Sequence, residues 1–90
     1  MMADHAKVTR LLKTARGQID GILRMVEDDR YCVDISNQLM ATESLIARIN
    51  ADVLKAHIAG CVRAAADSGD ERLKTEKLAE VESIIDKLAK

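Results

Sequence analysis

His57 and Cys61 stand four residues apart in a stretch with no strong helix breaker. On a helix their side chains share one face, one turn apart, and can hold one ion together. Two ligands do not complete a site. The only other thiol, Cys32, lies 25 residues before His57, about 37 Å along a continuous helix at 1.5 Å per residue. No single chain closes that gap. Two such helices packed antiparallel about a two-fold axis would set Cys32 of one copy beside His57 and Cys61 of the other, giving two equivalent sites by symmetry. Two thiolates and one imidazole suit a soft ion of low coordination number, so copper(I) is the expected ion, whereas structural zinc takes four ligands. A thiol at the start of a helix is also placed to react with sulfur or carbonyl electrophiles. The same three residues read equally as two small core cysteines and a hydrogen-bonded core histidine.

The elements that must carry these residues follow from composition and periodicity. The chain has 90 residues, 48% hydrophobic and 32% charged, with four Gly and no Pro, which describes one compact domain over residues 1–90 and excludes a disordered tail. Folding a chain this short buries only about 60–65% of the surface its unfolded form exposes, so a lone domain is marginal and self-association is expected. With one Tyr and no Trp or Phe, the core must be filled by Leu, Ile, Val, Met and Ala, side chains that sit well on helix faces; the fold class predicted is all-α. No general acid/base pair or substrate-pocket signature is present, so an enzyme is not expected. Neither an apolar leader nor a stretch approaching the roughly 20 apolar residues of a membrane span is found, which predicts a cytoplasmic protein with free thiols and no membrane partner.

Three helices are expected. Between residues 4 and 27, Val8, Leu11, Leu12, Ala15, Ile19, Ile22, Leu23 and Val26 fall within an arc of about 120° at 100° per residue. The acidic run Glu27, Asp28, Asp29 marks a tight turn, after which the apolar phase resets. From about residue 32 to 66 nothing breaks a helix except Gly60, which costs roughly 1 kcal/mol, and the resulting element of about 50 Å is too long for a 90-residue globule. Its apolar surface extends past one stripe, through Ile35, Leu39, Ile46, Ile49 and Val53 to Val33, Met40, Leu54 and Ile58. It therefore needs a second copy of the chain on the side the first helix leaves open. After Asp67, Ser68, Gly69 and Asp70, a stop with Gly in the left-handed position and Asp as N-cap, Leu78, Val81, Ile84, Ile85 and Leu88 mark a short third helix.

The net charge of −1 gives no global attraction to nucleic acid, so DNA binding would have to rest on local basic faces. Arg10, Lys13 and Arg24 lie opposite the apolar arc of the first helix, with Lys7 and Arg16 on its flanks. On the second helix Arg48 and Lys55 are seven apart and almost in register, so several copies of both strips would make a wide basic surface. Such strips are also commonly plain solvated faces.

Residues 16–62, RGQIDGILRMVEDDRYCVDISNQLMATESLIARINADVLKAHIAGCV, resemble the copper-sensitive operon repressor family (CsoR/RcnR), bacterial all-helical regulators. The likeness is carried by Gly17 and Gln18, by the run Arg30 to Ile35 that holds Tyr31 and Cys32, by Gln38, and by His57 and Cys61. It implies the ligand set of the copper branch at Cys32, His57 and Cys61, the first from the other protomer. It further implies a long central helix paired antiparallel in a dimer, a dimer of dimers (homotetramer), and a metal-free form that binds operator DNA and releases it when ligand binds. By the same resemblance Arg48 matches a DNA-contact position, and Tyr31 one that supports the metal-bound histidine. Leu11, however, stands where an Arg commonly contributes to DNA binding, and Lys77 where copper sensors place a Glu. Glu76 and Glu80, one before and three after Lys77, are the candidates to supply the missing acceptor. The function expected is a copper(I)-responsive transcriptional repressor, with copper(I) as ligand, operator DNA and self as partners, and Arg10, Lys13, Arg16, Arg48 and Lys55 on the DNA surface. The rivals are a persulfide-sensing repressor of the same family and a helical metal-buffering module without a DNA role.

Overall fold

The computed structural model describes residues 1–88 as three helices, with no strand among them: α1 (His5–Glu27), α2 (Cys32–Ser68) and α3 (Glu71–Leu88). The all-α expectation and the three-helix order hold. At 37 residues α2 runs two residues past the end expected from the sequence, because Ser68 closes it. Its hydroxyl donates to the Ala65 carbonyl at 2.9 Å and accepts the Asp70 N–H at 3.1 Å. Gly69 then takes φ +67°, and the Asp70 carboxylate accepts the Arg72 N–H at 3.0 Å, the stop and N-cap expected there.

The start of α1 is capped by Asp4, whose carboxylate accepts the Lys7 N–H at 3.1 Å. Its end is a Schellman motif: the Arg30 N–H donates to the Met25 carbonyl at 2.9 Å and the Asp29 N–H to that of Val26 at 3.1 Å. The geometry forces Asp29 to φ +52°, a left-handed conformation that costs a residue with a Cβ roughly 1–2 kcal/mol. Asp29→Gly is therefore expected to raise stability by about 0.5–1 kcal/mol after the added freedom of the unfolded chain is deducted. The check is the urea midpoint of variant and parent at equal protein concentration; an unchanged or lowered midpoint would show that the Asp side chain repays its strain.

The chain divides into two compact units. In Asp4–Asn50 the buried side chains are Leu11, Ala15 and Ile22 of α1 with Thr42 and Ile49 of α2. Thr42, only 5% exposed, donates its hydroxyl to the Gln18 side-chain carbonyl at 2.8 Å, tying the two helices together through one polar contact. The apolar arc of α1 is thus only half used: Leu12, Ile19, Leu23 and Val26 stay exposed, as do Val33, Leu39, Met40 and Ile46 of α2. In the second unit, made of Met1–Ala3 and the chain from Ala51 onward, Cys61 and Ala65 are buried and no described residue of α3 is. No helix is long and apolar enough to cross a membrane among the described residues.

Candidate metal centre

The C-terminal half of α2 presents His57 and Cys61 on one face, as their spacing requires, with the Cys61 sulfur 3.4 Å from His57 Nε2. The turn at Gly69 sends α3 back alongside, and Glu80 brings its Oε1 to 2.5 Å from the same ring nitrogen. One donor atom from each of His57, Cys61 and Glu80 lies within 4.8 Å of the others. Cys61 is buried, while the His57 and Glu80 side chains remain about 40% exposed, at 41% and 39%. The cluster therefore sits at the protein surface with its sulfur turned inward.

Two hydrogen-bonding partners engage Glu80. His57 holds one oxygen, and the Lys77 ammonium lies 3.4 Å from the other. The His57 hydrogen bond first, and that of Lys77 second, hold the Glu80 carboxyl below its usual range, against a smaller opposing effect of desolvation. At neutral pH Glu80 is an ionised acceptor. When Nε2 carries the ring hydrogen it donates to this carboxylate, and in the neutral ring Nδ1 is then the nitrogen with the free lone pair. A histidine oriented by a carboxylate on one nitrogen, one turn from a thiol, is the standard arrangement of a metal-binding imidazole. The sulfur and nitrogen donors fit a soft ion, and with both Glu80 oxygens engaged by side chains the carboxylate acts as the orienting group.

Of the two acidic residues considered from the sequence, Glu80 is the one against His57; the Glu76 carboxylate lies 3.4 Å from Arg72 on the outer side of α3. Lys77, which stands where the resemblance places a Glu, donates to Glu80 instead. The signal was present in the i, i+3 spacing of Lys77 and Glu80, which puts the pair on one helix face. Cys32 opens α2 as an exposed free thiol, preceded by the exposed Tyr31, and neither belongs to the cluster of this chain. Arg10, Lys13, Arg16, Arg48 and Lys55 are all exposed.

Comparison with known proteins matches residues 4–87 to the family described as metal-sensitive transcriptional repressor. A copper-sensing transcriptional repressor CsoR of Mycobacterium ulcerans is 45% identical over 67 residues, covering 74% of this chain and 57% of that protein. The chain thus spans little more than half the length of that relative. A Bacillus subtilis protein of the same description is 39% identical, over 83% of this chain and 74% of its own. Among solved structures, the copper-sensing repressor CsoR with Cu(I) from Geobacillus thermodenitrificans superposes with a TM-score of 0.78 at 32% identity, covering 94% of this chain and 85% of that one. The nickel-responsive transcriptional regulator InrS superposes at 0.83 with 25% identity, covering 98% and 96%.

Proposed function

The chain belongs to the metal-sensitive transcriptional repressor family, and from that premise we propose that it is a copper(I)-responsive repressor, which holds operator DNA when metal-free and releases it when copper(I) binds. The family is one of transcriptional repressors and not a class of enzyme. The observation that carries the choice of ion is the His57–Cys61 pair with Glu80 on the ring nitrogen. His57 through Nδ1 and Cys61 through its thiolate supply two ligands from one chain, and Cys32 of a second copy supplies the third. The ion, when bound, supplies a soft Lewis-acid centre that draws the three donors into one coordination sphere. Residues 1–90 act in this reading as a single sensor domain. The uncovered apolar side chains of α1 and α2 support assembly into a dimer and a dimer of dimers, with α2 pairing antiparallel. Sedimentation at micromolar concentration tests this, and a stable folded monomer would remove the shared site.

Arg10, Lys13, Arg16, Arg48 and Lys55 form the DNA surface in this reading. Removing one cation from a phosphate should flatten the plot of log affinity against log salt by about one unit and weaken binding to all sequences alike. Neutralising Arg48, Arg10 or Lys13 one at a time is expected to do this; an unchanged slope for all three would place the DNA elsewhere. Metal and DNA are negatively coupled, and because linkage is reciprocal a coupling of about 3 kcal/mol weakens each by roughly 150-fold when the other binds.

A persulfide-sensing repressor is the second reading, favoured by the exposed thiol of Cys32. Bridging two cysteines with sulfur makes no use of an imidazole held by a carboxylate, so the His57–Glu80 contact weighs for copper. The deciding measurement is release from DNA of the region upstream of its own gene, compared across copper(I), zinc, nickel, formaldehyde and polysulfide. Release by copper(I) alone supports the proposal, release by polysulfide alone moves the persulfide reading to first place, and failure to bind DNA points to a metal-buffering module.

A further inference from the structure

The centre holds a donor that the copper(I) reading does not use as a ligand. Besides the Cys61 sulfur and the His57 imidazole, Glu80 brings a carboxylate oxygen into the same cluster, with one donor atom from each within 4.8 Å of the others. Sulfur, nitrogen and oxygen with a position left open is a set that zinc(II) accepts. All three come from one chain, whereas the copper(I) set needs Cys32 of a second copy. Glu80 therefore has two uses, as the group that orients His57 or as a ligand to a divalent ion, and the choice between them decides which ion the centre favours.

The distances separate the two uses. Donors bound to one tetrahedral zinc stand about 3.4–3.6 Å apart, given bonds of about 2.0–2.3 Å. Cys61 Sγ and His57 Nε2 already meet that spacing, at 3.4 Å. Glu80 Oε1 does not: at 2.5 Å from the same nitrogen it stands at hydrogen-bonding distance, too near to share an ion with it. Its other oxygen is engaged by the Lys77 ammonium at 3.4 Å, so a metal ion has to compete with a cation for the carboxylate. At 33% and 39% exposed, the Lys77–Glu80 pair is less open to solvent than the Arg72–Glu76 and Lys74–Glu71 pairs of the same helix, and is screened less. The ammonium also repels a doubly charged ion about twice as strongly as a singly charged one in the same place.

We propose that Lys77 is a selectivity determinant of this centre: by engaging Glu80 it keeps the carboxylate oriented on His57 and out of the coordination sphere, which disfavours zinc(II) relative to copper(I). Lys77 touches no ion and acts through Glu80 as a positioning residue. The inference rests on the proposed copper(I) function and deepens it.

The test uses the full chain, with zinc(II) and copper(I) added separately as free probe ions and each affinity measured by competition with a chromogenic chelator. Lys77→Met, which keeps the aliphatic stem and removes the charge, should raise the ratio of zinc(II) to copper(I) affinity about 5-fold, the scale of one partly exposed ion pair. Lys77→Arg, which restores a charged donor, should return the ratio to that of the parent. Lys77→Met combined with Glu80→Gln should lose the gain, because an amide brings no charge to the ion. Cobalt(II) replaces zinc(II) for a spectroscopic readout: its visible bands should change between parent and Lys77→Met, as an oxygen ligand joins, and the change should vanish in the double variant. If Lys77→Met leaves the ratio unchanged, or its gain survives Glu80→Gln, the role of Lys77 is overturned and the copper(I) function stands. If the parent binds no copper(I), both are overturned.

Discussion

Replacing His57 or Cys61 with alanine is expected to abolish tight copper(I) binding while leaving the metal-free protein bound to DNA. Both side chains sit on α2 with the Cys61 sulfur 3.4 Å from the nearer ring nitrogen of His57, and neither is among the exposed cations assigned to DNA. Removing a group that merely supports a ligand lowers metal affinity about 10–100-fold, so loss of a ligand itself should exceed about 100-fold. A mixed dimer sharpens the test. Combining a Cys32→Ala chain with a His57→Ala chain leaves one intact site if Cys32 comes from the other copy, and none if all ligands come from one chain. Copper-induced release that survives His57→Ala would show the three-ligand site to be wrong.

The second large effect concerns Glu80. Glu80→Gln keeps a carbonyl that can accept from His57 but removes the charge that fixes the ring hydrogen on Nε2. Copper(I) affinity should fall about 10-fold, whereas copper-driven release from DNA should weaken more if the His57–Glu80 contact is what links the ion to α3. Lys77 enters through the same carboxylate. Lys77→Glu restores the residue that the resemblance places there, but with Lys77 lying 3.4 Å from Glu80 it sets two carboxylates side by side and should weaken release. Glu76→Gln, which touches only the Arg72 pair, should change little. If Glu80→Gln releases DNA at the same copper(I) concentration as the parent, α3 has no part in the response.

The helices were legible because their signals are local. An apolar arc, an Asp before α1 and the Ser68, Gly69, Asp70 stop each act within a few residues, and the spacing of His57 and Cys61 fixes their shared face before any packing is known. What was not legible depends on how elements dock. Glu76 and Glu80 differ by only about 40° around α3, so periodicity cannot say which of them faces His57. The left-handed residue closing α1 was hidden because Asp29 occupies a place where glycine is the usual marker. Gly60 showed only its cost to the helix; Met2, which lies over it, is 58 residues earlier in the sequence. Leu12, Ile19, Leu23 and Val26 belonged to one arc with Leu11, Ala15 and Ile22, and only the structure divides covered from uncovered.

The Thr42–Gln18 contact has a mechanical consequence. It is a polar link between α1 and the first half of α2 whose donor is almost fully buried, so sliding one helix along the other by a turn would leave a hydroxyl and an amide without partners, at about 1–3 kcal/mol for each group stranded away from water. Side chains of Leu, Ile and Ala alone would tolerate such slippage, since one apolar neighbour replaces another. The link works as a detent. Within this unit shear between the two helices is therefore resisted, while rotation of the pair as one body leaves the link intact.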